Sequence, residues 1–314
     1  MKINLKRRKY KKKNLNVLSV NTFTLLLSIL FLLIGNYIQS KDFFRGTFIN
    51  EIFIILIPAL FIAGTGKFTH VLRIKYISLK NIFRVILMTI LSYPIILLVN
   101  GLFLSIFSNI TELNNFSMDI VTRDMNLGGY LFYMCLVPAI CEEIFFRGAL
   151  INSYDIYGPR FAIFMSALVF ALFHFDIQNF LAPLLLGIMF GNFLELTGSI
   201  FACMIAHFVN NVIALISSRY INDSLFSYLQ STSLARDIGS LQLYIITLLI
   251  ILSGISIFIL KNMYRKMYFE KKREDEFYGL RQRIRAAQTF DFFNFVPIIA
   301  LFILYFIYYK VVFY

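Results

Sequence analysis

The sequence contains no tryptophan, only three cysteines and six prolines, and few charged residues. Of its 314 residues 15% are charged and 59% are hydrophobic, whereas about 25% are charged in an average soluble domain. The three cysteines lie within apolar stretches, so they do not form a disulfide framework. The scarcity of charge excludes a disordered chain and an ordinary soluble enzyme. The apolar residues, among them 36 Phe, gather in long runs, which is typical of a membrane protein.

Nine apolar stretches approach or exceed the length of about 20 residues that a membrane-spanning helix requires. They are 17–38, 48–66, 85–108, 127–152, 159–175, 178–196, 199–217, 241–260 and 292–312. Eight spans are the alternative count, and 159–175 is the shortest stretch. Helices satisfy their own backbone hydrogen bonds in lipid, so we expect an all-α, polytopic transmembrane bundle.

Positive charge is distributed unevenly between the two sides that nine spans would create. Of the 30 Lys and Arg residues, 24 fall in the segments 1–16, 67–84, 143–160 and 261–291, which such a chain places on one side. The positive-inside rule makes that side cytoplasmic. We therefore expect a multi-pass protein of the plasma membrane with a cytoplasmic N-terminus. The net charge of +13 then reflects topology and contact with anionic lipids, and we expect no nucleic-acid partner.

Ionisable and amide side chains inside the spans are concentrated in one part of the chain. Such groups are costly in a membrane and therefore raise the question of function. They are Glu142, Glu143, Arg147, His174, Asn192, Glu195, His207, Asn210 and Asn211. The chain accordingly divides into a basic cytoplasmic tail, N-terminal transmembrane helices, a catalytic core, and C-terminal transmembrane helices with a basic cytoplasmic loop at 261–291. The bounds of these four parts are 1–16, 17–128, 129–217 and 218–314.

The two adjacent glutamates of the fourth span have different predicted roles. Glu143 and Arg147 are four residues apart on a helix and can pair on one face, which indicates a structural role for both. Glu142 points about 100° away from Glu143 and is free to act as a general base. For Glu195 of the sixth span the sequence leaves two interpretations, a supporting role in the site or a position at the membrane edge.

Three further residues can act together with Glu142. His174 follows the turn at Gly158 by sixteen residues and Glu142 precedes it by sixteen, so the two lie at similar depth on a helical hairpin. His207 and Asn211 are four residues apart and share a helix face, where they could donate to an oxyanion. Glu142, His174 and His207 could instead bind a divalent metal such as zinc. The residues alone leave both schemes open.

Three motifs carry these residues in order along the chain. They are E-E-x-x-x-R at 142–147, F-x-x-x-H at 170–174 and H-x-x-x-N at 207–211. These motifs lie on the fourth, fifth and seventh predicted spans. In this order and at these distances they resemble the motifs of the CAAX protease and bacteriocin-processing family of intramembrane proteases, also called CPBP or Abi. The resemblance extends over about residues 129–215.

The resemblance implies an intramembrane endopeptidase similar to the type II CAAX prenyl endopeptidases. Glu142 and His174 would activate water, and His207 and Asn211 would bind the oxyanion. The substrate would be a membrane-associated protein or peptide, lipidated or not, reached from the cytoplasm. Members are often described as metalloproteases, which keeps the zinc scheme open. The alternative is a catalytically silent immunity or regulatory protein of a bacteriocin system, which would bind a peptide or partner in the same cavity. The intact set of four residues favours the peptidase.

Overall fold

The computed structural model describes residues 15–107, 126–218, 238–277 and 290–313, and within these ranges it contains helices and no β-strand. Each of the nine predicted spans coincides with a helix, which confirms the predicted all-α fold. The helices, labelled α1 to α9, are Val17–Lys41, Phe43–Gly64, Leu79–Phe107, 127–154, Pro159–Leu172, Leu181–Thr197, Ile200–Ile216, Ile238–Phe277 and Val296–Phe313.

The lengths of these helices fit a multi-pass membrane protein. Within the described ranges, five helices (α1, α2, α3, α8 and α9) are long and apolar enough to cross a bilayer. The helices α5, α6 and α7 are apolar but shorter, with 14, 17 and 17 residues. They pack against α3 and α4, so that the shorter helices lie among longer ones. The total number of spans remains a prediction.

Helices α2 and α4 widen into π-helical turns immediately before a proline. The π turn Asn50–Leu56 precedes Pro58, and the π turn Leu131–Leu136 precedes Pro138. Proline has no N–H to donate, and its ring clashes with the carbonyl four residues earlier, so an α-helix cannot continue unchanged through it. A π turn accommodates the clash by adding one residue to the turn.

Close packing of α5 against α6 depends on two glycines. A Cβ atom added to Gly187 would lie 2.8 Å from the backbone of Ala167, and one added to Gly191 would lie 2.8 Å from the side chain of Ile163. Both distances are shorter than real contacts, so only glycine allows the two helices to approach this closely. Glycines four residues apart lie on one face of α6, so both can face α5.

Three loops between helices meet at one end of the bundle around Arg73. Its guanidinium pairs with Asp155, which follows α4, at 2.8 Å, and also with Glu195 near the end of α6. The backbone N–H of Ile200 donates to the carbonyl of Arg73 at 3.2 Å. The loops after α2, α4 and α6 therefore lie on the same side of the bundle. This is the arrangement expected when every helix crosses the membrane once. Glu195, whose role the sequence left open, belongs to this loop cluster.

Candidate active site

Glu143 and Arg147 form the predicted ion pair in the middle of the bundle. Arg147 Nη1 donates to Glu143 Oε1 at 2.9 Å, and both side chains are fully buried. The guanidinium also lies over the ring of Phe170, at 4.5 Å from its centroid. Removing one partner of a buried ion pair costs about 3–5 kcal/mol, because the other charge is left buried and unpaired.

Glu143 has a second contact, which the spacing of the motif did not reveal. His207 Nδ1 donates to the same Oε1 atom of Glu143 at 2.8 Å. The imidazole also stacks on Phe190, with 5.3 Å between ring centroids and an angle of 23°. With Nδ1–H bound to a carboxylate, the tautomer and the orientation of the ring are both fixed. Glu143 is therefore a positioning residue for His207 as well as the partner of Arg147.

Glu142 lies on the other side of the His207 ring, as the separation of the two glutamates on the helix predicted. Its Oε2 atom is 3.7 Å from His207 Nε2, and 14% of its side chain is exposed. Hydrogen bonds thus join Arg147 to Glu143 and Glu143 to His207, and Glu142 lies next to His207. His207 belongs to α7, and the other three residues belong to α4.

Glu51 of α2 is a member of the site that the sequence analysis missed. Its side chain is buried, and its carboxyl group lies beside that of Glu142. Two neighbouring carboxyl groups in an apolar interior influence each other's charge, so Glu51 belongs to the surroundings that set the chemistry of Glu142. The sequence does contain a signal for this residue, because Glu51 is an acidic side chain within the second predicted span. It lies far along the chain from the other polar residues of the spans, so it was not grouped with them.

His174 lies two residues beyond the end of α5. Its Nδ1 atom donates to the carbonyl of Phe170 at 2.8 Å, so Nε2 is the acceptor of the ring. The Phe170 ring contacts both histidines edge-on, with centroid distances of 4.9 Å to His174 and 6.0 Å to His207. Both histidines therefore pack on the same ring, and in the described part of the chain no hydrogen bond or ion pair joins Glu142 to His174.

Asn211 is anchored to the fourth helix by a carbonyl at the Pro138 π turn. Its Nδ2 atom donates to the carbonyl of Met134 at 3.1 Å. Met134 precedes Pro138 by four residues, and Pro138 lacks the N–H that an α-helix would direct to that carbonyl. The Oδ1 atom of Asn211 accepts from Asn210 at 3.2 Å. One amide proton of Asn211 remains available to a substrate.

A cavity of about 270 Å³ opens beside these residues. His174, His207 and Asn211 line one part of it, and apolar side chains of α3 and α6 line most of the rest. Glu142 does not line the cavity itself, and its Oε2 atom lies 3.7 Å from Nε2 of His207, which does. This volume is near the lower limit for ligand pockets, so the cavity can hold a short peptide segment but not a folded domain.

The metal site that Glu142, His174 and His207 could form stays a prediction. Among the residues that the structure describes, no three His, Cys, Asp or Glu side chains form a group that could hold an ion. His207 Nε2 and Glu142 Oε2 lie 3.7 Å apart, which is close to the separation of two ligands of one zinc ion. The reaction proposed below uses protein groups.

Comparison with known proteins supports the relationship that the motifs indicated. The sequence model of the Rce1-like family, described as type II CAAX prenyl endopeptidase Rce1-like, matches residues 125–213. No curated protein and no solved structure matches the chain. The matched residues include the hairpin of α4 and α5 and the site residues of α7. Over residues 125–213, which hold Glu142, His174, His207 and Asn211, the chain is similar to the Rce1-like type II CAAX prenyl endopeptidases, as the three motifs predicted.

Proposed function

We propose that the protein is an intramembrane endopeptidase that hydrolyses a peptide bond of a membrane-associated protein or peptide. The observation that carries the proposal is the line of polar contacts from Arg147 through Glu143 and His207 to Glu142, at the edge of a cavity. A protein that only binds a partner has no need for a carboxylate, an oriented imidazole and an amide at one place in a membrane. The similarity to type II CAAX prenyl endopeptidases points the same way.

In the proposed reaction Glu142 is the general base. It takes a proton from water while the water oxygen attacks the carbonyl carbon of the scissile bond. The Nε2 atom of His174 accepts a hydrogen bond from the same water and positions it. In this step His207 carries a proton on both ring nitrogens, so that Nε2–H and the remaining amide proton of Asn211 donate to the oxyanion that forms. The proton held by Glu142 then passes to the leaving nitrogen, the carbon–nitrogen bond breaks, and both carboxyl and amine products are released.

The substrate proposed from the family description is a protein or peptide with a C-terminal CAAX-type sequence. We further propose that the protein lies in the plasma membrane with its N-terminus in the cytoplasm, where substrates would approach. The loop cluster around Arg73 would then face the cytoplasm, together with exposed basic residues such as Lys75 and Lys80. Such residues attract anionic lipids by about 1 kcal/mol each.

The direct test is cleavage of a quenched fluorescent peptide with a farnesylated CAAX-type C-terminus by the purified protein in lipid nanodiscs. Glu142→Gln should abolish cleavage and leave expression and thermal stability unchanged. The matched control is Glu274→Gln, which alters an exposed carboxylate at the end of α8 and should cleave normally. Full activity of Glu142→Gln would refute the role of Glu142. Binding of the peptide without cleavage by the wild-type protein would refute the peptidase and favour a binding protein.

A further inference from the structure

Helix α3 forms one wall of the cavity, and it carries none of the sequence motifs. Tyr93, Ile96, Leu97 and Asn100 all line the cavity. Their spacing of three, four and seven residues places them on one face of the helix. Three of these side chains are mainly hydrophobic in character, whereas Asn100 brings an amide into an apolar wall. Because an amide in such a place needs hydrogen-bond partners, Asn100 calls for an explanation.

The Oδ1 atom of Asn100 is buried and has no hydrogen-bond partner in the part of the chain that the structure describes. An acceptor left in this state costs about 1–3 kcal/mol. The cost disappears when a ligand in the cavity supplies an N–H group. Rotation about the terminal amide torsion is soft, so the amide group can turn toward a ligand without disturbing the helix.

The peptide backbone is the ligand chemistry that matches this amide. It supplies an N–H for Oδ1 and a carbonyl for Nδ2 at every residue, whereas a prenyl or acyl chain offers neither. Tyr93 and Asn100 are seven residues apart, which corresponds to about 10 Å along the helix. About three residues of extended chain cover that distance. The cavity is thus long enough for a short peptide segment that runs along α3 toward the histidines.

We propose that Asn100 is a substrate-binding residue, which hydrogen-bonds to one backbone amide of the substrate peptide beside the hydrolytic site. The proposal rests on the proposed function, since it places the substrate in the cavity that His174, His207 and Asn211 line. It assigns α3 the role of aligning the chain, while α4, α5 and α7 carry out the chemistry. The peptide segment occupies the cavity, and any lipid attached to it lies outside the Asn100 contact.

The test compares backbone-ester analogues of the farnesylated CAAX-type peptide, in which oxygen replaces one N–H at a time away from the scissile bond. For the wild-type protein, the ester at one position should raise KM about 3–10-fold, which is the value of one hydrogen bond. Asn100→Ala should raise KM for the parent peptide by the same factor, leave kcat within about twofold, and show no further penalty for that ester. Leu102→Ala, which changes an exposed residue of the same helix, is the matched control.

Stability separates substrate binding from a structural role. Asn100→Leu removes the unpaired amide, so the melting temperature should stay constant or rise while KM increases. A lower melting temperature with unchanged KM would show that Asn100 only supports the fold. Equal ester penalties in the wild-type protein and Asn100→Ala at every position would also overturn the proposal.

The experiment also distinguishes this inference from the proposed function. If the wild-type protein cleaves no peptide, the proposed function fails. Binding of a fluorescein-labelled parent peptide and its esters to Glu142→Gln is then measured by anisotropy. If one ester binds Glu142→Gln more weakly than the parent peptide, and this difference disappears in the double variant Glu142→Gln/Asn100→Ala, the contact between Asn100 and the peptide is supported without catalysis. Absence of binding, or a penalty independent of Asn100, refutes it.

Discussion

The strongest prediction concerns the separation of stability from activity at Glu143. Glu143→Leu leaves the guanidinium of Arg147 buried without its carboxylate, since both side chains are fully buried. Loss of one partner of a buried ion pair costs about 3–5 kcal/mol. The double variant Glu143→Leu/Arg147→Met replaces the pair by apolar groups of similar size, and such replacements are often neutral or stabilising. We therefore expect the double variant to regain most of the free energy of unfolding that the single variant loses.

Activity should not return with stability. In the double variant His207 Nδ1 still lacks the carboxylate oxygen that it contacts at 2.8 Å, so the tautomer and the ring orientation are no longer fixed. Loss of the group that orients a catalytic histidine reduces turnover by orders of magnitude, and we expect at least about 100-fold. Unfolding in SDS measures stability, and cleavage of the CAAX-type peptide measures kcat. A double variant that is both stable and fully active would refute the positioning role of Glu143.

Three further predictions concern Glu51, metal dependence and topology. Glu51→Gln keeps a hydrogen-bonding group beside Glu142 but removes one carboxyl, so kcat should fall about tenfold or more with little change in KM; an unchanged kcat would make Glu51 purely structural. The purified protein should contain no stoichiometric zinc by elemental analysis and should keep its activity in chelator, whereas loss with chelator and recovery with zinc would refute the metal-free scheme. Reporter fusions after residues 16, 76 and 275 should all report the cytoplasm, and an external signal at 275 would remove the nine-span topology.

The fold was predictable because its signals are local. Apolar stretches of membrane-spanning length identify helices without knowledge of their neighbours, and in the described part of the chain each of the nine stretches coincides with one of the helices α1 to α9. The Glu143–Arg147 pair was predictable for the same reason, since residues four apart on one helix meet wherever the helix lies. The spacing of Gly187 and Gly191 is a local signal of the same kind, since it places both glycines on one face of α6.

The missed contacts join residues that are far apart in the chain. Glu143 and His207 are 64 residues apart, and their hydrogen bond depends on how α4 and α7 pack. Glu51 reaches Glu142 from a helix that precedes the motifs, so no spacing within the motifs could predict it. The place of Glu142 outside the cavity lining was hidden for the same reason. The packing of the helices determines these contacts, and residue spacing in a single sequence does not reveal how helices distant in the chain pack.

The π turns of α4 have a consequence for the geometry of the whole helix. Glu142 and Glu143 lie in the α-helical segment Val137–Glu143, between the π turns Leu131–Leu136 and Ile144–Leu150. Each π turn holds one residue more than an α turn, so it changes the rotation of the side chains that follow. The face on which the two glutamates lie is therefore offset from the face that a regular α-helix would give them. The two carboxylates can point toward His207 while the two ends of α4 pack on other helices.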